Sequence, residues 1–303
     1  MNIPGTVFPT LNYGDVEILQ YFNSSKVKIK FLNTGFITTA LASNIRRGKV
    51  RDASTNIGVK IGTLYDIPKY GKAEVIEYND PRNIKIKFIN TGYETITTSA
   101  HISTGRIKDR LAPTVHGVGV IGSKYPSKVN GIPVKEYSLW ATMLQRCYDS
   151  KEHNRHPTYK DCTVSENFKS YEYFYEWCQE QVGFGNDGWQ LDKDLLVKGN
   201  KVYSEDTCVF LPNEINSAII NCKGSRGELP IGVSLYKQDR YKAMGHLDGR
   251  NVFLGIYSTP ELAFQAYKEK KELSLVKLGM RWSQKIDPRA ELALYNYKVE
   301  PDD

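Results

Sequence analysis

The chain has 303 residues, with 41 lysines and arginines against 34 aspartates and glutamates, a net charge of +7. That length is enough for roughly two or three domains of ~100 to 200 residues each. No apolar run approaches the ~18 residues that span a membrane and the first thirty residues do not read as a signal peptide, so a soluble, cytoplasmic protein without a membrane partner is expected. Five cysteines, an odd number with no CxxC pair, exclude a disulfide framework and fit a reducing compartment.

The positive charge is concentrated at one end. Residues 1–125 hold 17 lysines and arginines against 9 carboxylates, while the rest of the chain carries a net −1. A local excess of that kind points to a polyanion partner. The same region is a direct repeat: residues 13–52 match 70–109 at an offset of 57, with Tyr13-Gly14 on Tyr70-Gly71, Tyr21 on Tyr78, Phe31 on Phe88 and Asn33-Thr34-Gly35 on Asn90-Thr91-Gly92. Gly48 and Asp52 then fall on Gly105 and Asp109. Self-similarity of this length signals duplicated folding units. The strings KVKIKF (Lys26 to Phe31) and NIKIKF (Asn83 to Phe88) alternate strictly, which predicts strands with Val27, Ile29 and Phe31, or Ile84, Ile86 and Phe88, on one side and lysines on the other. Two small β modules, 1–60 and 61–112, follow, with tight turns at Thr34-Gly35 and Thr91-Gly92. Lys26, Lys28, Lys30, Lys85 and Lys87 can track a DNA phosphate backbone or act as edge-strand gatekeepers. Arg46, Arg47, Lys49 and Arg51, with Arg106, Lys108 and Arg110, form a second basic cluster and tilt the reading towards DNA.

Residues 113–135 read as a Gly/Pro-rich linker. From Glu136 the period becomes helical, with Tyr137, Trp140, Met143, Leu144 and Cys147 on one stripe, and again over Phe168 to Val182, where Tyr171, Phe174, Tyr175 and Cys178 keep the rhythm. These stripes are core. His153 and His156 lie in the polar loop between the helices. With Cys147, Cys162, Cys178, Cys208 and Cys222 they are residue types that a structural zinc site needs, although no spacing among them follows a zinc pattern.

The stretch Gln190 to Ala218 reads as strand, loop, strand and helix. Leu191, Asp192, Lys193 and Asp194 end the first strand, a Gly-Asn loop follows, an alternating strand runs around Cys208 to Leu211, and a helix enters at Pro212. A hard cation such as Mg²⁺ (or Mn²⁺) takes oxygen ligands, and Asp192 and Asn216 both offer one. At these residues, and in the preceding string WATMLQRCY, the chain resembles the HNH, or His-Me finger, nucleases of the phage-encoded group. The resemblance implies that Asp192 and Asn216 are metal ligands and that Asp192, Lys193 and Asp194 make up the catalytic set. Lys193 stands where most members have the catalytic histidine, and Thr207 where many have a loop-bracing asparagine. Lysine takes no proton from water unless its pKa is strongly lowered, so Asp194 substitutes, a histidine arrives from elsewhere, or the centre is inactive.

A second joint is expected at Gly224 to Gly227. Beyond it, three short strands (Val233 to Tyr236, Tyr241 to His246, Val252 to Ile256) lead to an amphipathic helix capped by Thr259 with Pro260 in first place. Ala263, Tyr267 and Leu273 are expected to meet Ala243 and Leu254. The strings GVxLxxxxRYxA and FLGxYxTPExAxxAY resemble an AP2 domain, which implies a sheet in the major groove reading DNA through Ser234, Tyr236, Arg240, Lys242, His246, Asn251 and Phe253. No role is expected for the tail, 281–303. The expectation is thus an α+β chain with a nuclease-like core over 136–222 and an AP2-like domain over 223–280. It binds double-stranded DNA and hydrolyses phosphodiester bonds with a divalent metal, in the manner of a homing endonuclease. The alternative is a non-catalytic DNA-binding protein on a degenerate nuclease scaffold.

Overall fold

Alternation of buried and exposed side chains builds the N-terminal unit of this α+β chain. A computed structural model describes residues 3–56, 59–219, 227–247 and 249–303, which fall into two compact units, Met1–Ala112 and Pro113–Asp303. In the first, β1 (Val7–Pro9), β2 (Asp15–Asn23), β3 (Lys26–Phe31) and β4 (Ile37–Ala40) form an antiparallel meander followed by a short helix, α1 (Ala42–Arg46). The second copy repeats it as β5 (Leu64–Ile67), β6 (Gly71–Asp80), β7 (Asn83–Phe88), β8 (Glu94–Thr97) and α2 (Ser99–Thr104). Val27, Ile29, Phe31, Ile84, Ile86 and Phe88 are fully buried, as period-two strands with one wet face require. The two copies are not separate modules: their inward faces fuse into one core, with Phe36 of the first against Tyr78 of the second at 5.3 Å between ring centroids.

The matched aspartates hold each copy closed. Asp52 and Asp109 are buried; each accepts a hydrogen bond from the threonine of its β3–β4 or β7–β8 turn, Thr34 or Thr91 (2.6 Å for the latter), and from a backbone amide two residues on. The short helices are an addition to the expected all-β units. Each is closed by Gly48 or Gly105 in the left-handed region.

In the second unit, residues 113–135 are packed structure, not a linker. Two small hairpins, β9 (Pro113–Val115) with β10 (Gly119–Val120) and β11 (Lys128–Val129) with β12 (Ile132–Pro133), cross the helical core. Val115, Val118, Ile121 and Tyr125 pack on that core, and the Glu172 carboxylate accepts the amides of Ser123 and Lys124 at 2.6 Å each. The core itself lies between α3 (Lys135–Tyr148) and α5 (Tyr171–Glu180), with α4 (Ser150–Arg155) and β13 (Thr163–Val164) between them in sequence. The expected stripes are inside, anchored by fully buried Trp140, whose indole N–H donates to the Phe168 carbonyl at 2.8 Å.

Against this core lie β14 (Trp189–Asp192), β15 (Val202–Tyr203), β16 (Val209–Pro212) and α6 (Asn213–Ile219). β14 pairs antiparallel with β16, placing Asp192 opposite Val209, while β15 runs parallel to β13. β16 is buried on both sides. Phe210 enters the helical core, while Val209 and Leu211 enter a second cluster with Leu275, Leu278 and Leu294 from the C-terminal helices.

Those helices follow a three-stranded antiparallel sheet of β17 (Val233–Lys237), β18 (Arg240–Leu247) and β19 (Arg250–Tyr257). α7 (Pro260–Trp282) starts at a Thr259 cap, and α8 (Pro288–Asn296) turns back beside it. Ala243, Ala263 and Tyr267 are buried with half-buried Leu254 alongside, as expected, but Leu273 is 46% exposed and faces away. α7 crosses the expected boundary at 280. The tail is structural: α8 closes the cluster over β16, and Val299 packs on Phe264 and Tyr267. Of the expected joint at Gly224 to Gly227, residues 224–226 lie outside the described residues.

Candidate metal centre and DNA-facing surfaces

The hairpin end holds its side chains through the chain's own amides. Asp192, the last residue of β14, accepts the amides of Leu195 and Asp194 on one carboxylate oxygen, Oδ1, at 2.8 and 3.0 Å. Burial pushes its carboxyl above the ordinary range, while the Leu195 amide pulls the other way and the Asp194 charge adds to the rise. On α6, Asn216 donates through Nδ2 to Gln190 at 2.6 Å, and Gln190 donates in turn to Asn213 at 2.8 Å. These bonds pin helix to strand and leave Asn216 Oδ1 as an available oxygen. Asp192 and Asn216 line one cavity of about 520 Å³ together with Lys193, Asp194, Asn200 and Tyr297.

This donor set fits Mg²⁺ or Mn²⁺, which bind through one or two protein oxygens and complete their shell with water and phosphate. The sign of the Asp192 shift supports the fit. A carboxyl raised in the fold makes stability fall as pH climbs through the window between its ordinary and its raised value, because the native state binds the extra proton. Above that window the ionised carboxylate costs stability, a cost that a bound cation would offset. Millimolar Mg²⁺ or Mn²⁺ is therefore expected to raise the melting temperature at neutral pH, by the amount RT ln(1 + [L]/Kd) allows. The rise should vanish in Asp192→Ala, as differential scanning calorimetry would record.

Lys193 is turned inward. Its ammonium donates to Asp194 at 2.6 Å and to the Asn200 carbonyl at 2.9 Å, and it sits 5.6 Å from the Tyr203 ring centroid. All three partners suit an ammonium group as donor. Asp194, about half exposed, is the second carboxylate at the cavity. Neither histidine from the polar loop lines it: His153 lies on α4 with Nε2 2.9 Å from the Arg146 carbonyl, and His156 is 3.8 Å from Glu152. The loop brace is Asn200, whose amide donates to the carbonyls of Lys193 (2.8 Å) and Val202 (2.6 Å) and accepts from the Val202 amide. Thr207 supports the same turn by donating to the Val202 carbonyl at 2.7 Å.

Two further residues reach the site from far along the chain. Lys198 donates to the Lys298 carbonyl at 2.8 Å and to Asp303 at 2.6 Å, which lays the tail beside the cavity and brings Tyr297 into its wall. Cys147, Cys162, Cys178 and Cys208 are buried as small apolar groups, with burial pushing the Cys147 and Cys208 thiols to about 12. Cys222 lies outside the described residues. Among the described residues no three His, Cys, Asp or Glu side chains come together as a metal site.

On the C-terminal sheet Lys242, His246, Asn251 and Phe253 lie on the face away from buried Ala243, while Tyr236 sits at a register break between Leu235 and Lys237. Ser234 pairs with Lys242 and His246 with Asn251, and Tyr236 and Arg240 lie two residues further along their strands. A bulge at Leu254 shifts the register by one, which turns Leu254 to the helix and leaves Phe253 opposite Met244, 57% exposed. In the N-terminal unit, Lys28 is exposed and Lys30 half-buried, while Lys85 is 2.8 Å from Glu94 and Lys87 is 3.9 Å from the same carboxylate.

Comparison with family models, with curated proteins and with solved structures finds no match. No helix among the described residues is long and apolar enough to cross a membrane.

Proposed function

We propose that the protein is a DNA endonuclease of the HNH, homing type, hydrolysing phosphodiester bonds at the Asp192 hairpin with Mg²⁺ or Mn²⁺ and holding duplex DNA through its AP2-like sheet. The observation that carries this reading is that Asp192 and Asn216, from strand and helix of one hairpin unit, line the same open cavity, which a buried lysine also lines. Asp192 and Asn216 would hold the cation, which when bound would supply charge neutralisation at a phosphate oxygen. Lys193 fixes a second positive charge beside it. Asp194, oriented by Lys193, would take the proton from the attacking water as the water oxygen bonds to phosphorus and the bond to the departing sugar oxygen breaks, that sugar oxygen taking a proton from solvent in the open cavity. Asn200 keeps the loop carrying both residues in one conformation.

The test is incubation of the full chain with plasmid and phage DNA, with and without Mg²⁺ or Mn²⁺. Metal-dependent cleavage is expected. Binding without cleavage under any of these conditions would favour the non-catalytic reading, for which the lysine at the base position speaks. Arg240→Ala with Lys242→Ala should weaken binding and make its salt dependence shallower by about 0.9 for each phosphate that is no longer neutralised; an unchanged slope would remove the sheet from the interface.

A further inference from the structure

The basic N-terminal unit carries two kinds of cation, and their surroundings differ. Three of those on β3 and β7 lie opposite carboxylates, Lys30 opposite Glu17, Lys85 opposite Glu77 and Lys87 opposite Glu74, and Glu94 adds its ion pair with Lys85, while Lys26 and Lys28 face Asn23 and Gln20. A phosphate approaching there meets mixed charge. The segments after α1 and α2 are different. Gly48-Lys49-Val50-Arg51-Asp52 and Gly105-Arg106-Ile107-Lys108-Asp109 alternate an exposed cation with a buried side chain, Val50 and Asp52 in one, Ile107 and Asp109 in the other. Among the described residues Lys49, Arg106 and Lys108 form no ion pair.

These segments are held rigidly at both ends. Each begins at a left-handed glycine (φ 65° and 63°), and a Cβ at Gly105 would lie 2.5 Å from Pro68. Each ends on the buried aspartate that ties it to the turn threonine. In the first copy the segment borders a groove of about 330 Å³, where Lys49 and Arg51 meet Ser25, Thr38, Thr39 and Asn44. A lysine ammonium among hydroxyls and an amide offers the donors that hold a phosphate group. At the offset of 57, Ser25, Asn44, Lys49 and Arg51 correspond to Arg82, His101, Arg106 and Lys108.

We propose that these two crests, rather than the strand lysines, bind the phosphate backbone of duplex DNA, one phosphate at each copy, with the first seated in the groove between β4 and Lys49. The proposal rests on the reading of the chain as DNA-binding, and it adds a second surface to the C-terminal sheet. Extended segments with outward cations read no base edge, so this surface adds affinity without choosing a sequence.

The test measures binding of the full chain to a fluorescently labelled duplex by anisotropy across a salt series. Lys49→Gln with Arg106→Gln is expected to make the slope of log K against log salt shallower by about 1.8, two phosphates at ~0.9 each. Lys85→Gln with Lys87→Gln, whose cations already face carboxylates, should leave it unchanged, and Lys49→Arg with Arg106→Lys should keep the native slope. The substituted side chains are exposed or, like Lys85, at the surface, and circular dichroism melting confirms the fold. A native slope in the crest variant, or a weakening seen only in the strand variant, overturns the proposal. Absence of duplex binding by the unsubstituted chain overturns it together with the nuclease reading. Binding with a crest-dependent slope but no cleavage supports the crests and removes the nuclease reading alone.

Discussion

Asp192→Asn should reduce Mg²⁺-dependent DNA cleavage on the order of 10³-fold, because a metal-held phosphate oxygen is worth several kcal/mol in the transition state and each ~1.4 kcal/mol is tenfold in rate. Asparagine keeps an oxygen for the amides of Asp194 and Leu195, which Asp192 now accepts at 3.0 and 2.8 Å. The loop therefore stays in place and only the charge that attracts the cation is removed. Asn216→Ala should act in the same direction, with an added loosening of α6 because its bond to Gln190 goes too. Single-turnover cleavage measures the first effect and anisotropy the second requirement, that duplex binding stays within about twofold. Cleavage at the native rate in both variants would place the metal elsewhere.

Lys193→Met is expected to lower cleavage by roughly 10² to 10³-fold, the size seen when one preorganised electrostatic donor is removed, with little change in stability. The ammonium is buried, but its carboxylate partner Asp194 is about half exposed and regains water when the lysine goes. A methionine of similar length refills the space beside Tyr203, and Asp194 and the Asn200 carbonyl, both at the open cavity, take water in place of the ammonium. The separation of the two readouts is the informative part. A fall in melting temperature matching the fall in activity would make Lys193 a structural residue, and unchanged activity would leave the centre to Asp192 and Asn216.

Local pattern carried much of the fold. The alternation in KVKIKF and NIKIKF placed six core residues, and the duplicated Asp52 and Asp109, visible only as a match at an offset, have a physical role as buried acceptors for Thr34 and Thr91. The hairpin with Asp192 and the helix with Asn216 were legible because strand, turn and cap signals lie within thirty residues. What escaped is long-range or composite. Residues 113–135 look like a linker because glycine and proline dominate, yet Val115, Ile121 and Tyr125 find a core made by helices further on. Tyr297 and Asp303 reach Lys198 across about a hundred residues, and no local periodicity reports such a partner. Asn200 sat in a Gly-Asn turn whose ordinary reading is a loop; its bracing role depends on carbonyls at Lys193 and Val202 that only the folded hairpin brings together.

The long α7 sets a fixed gauge. Its 23 residues run unbroken from the sheet, which Ala263 and Tyr267 hold, to the cluster over β16, which Leu275 and Leu278 enter. At about 1.5 Å per residue that is roughly 34 Å, close to one turn of duplex. One added residue would advance its far end by about 1.5 Å and swing it by roughly 100°. For the proposed nuclease, α7 would therefore fix the distance between the sheet and the Asp192 hairpin, and one residue inserted in it would turn one against the other in a single large step with no graded intermediate.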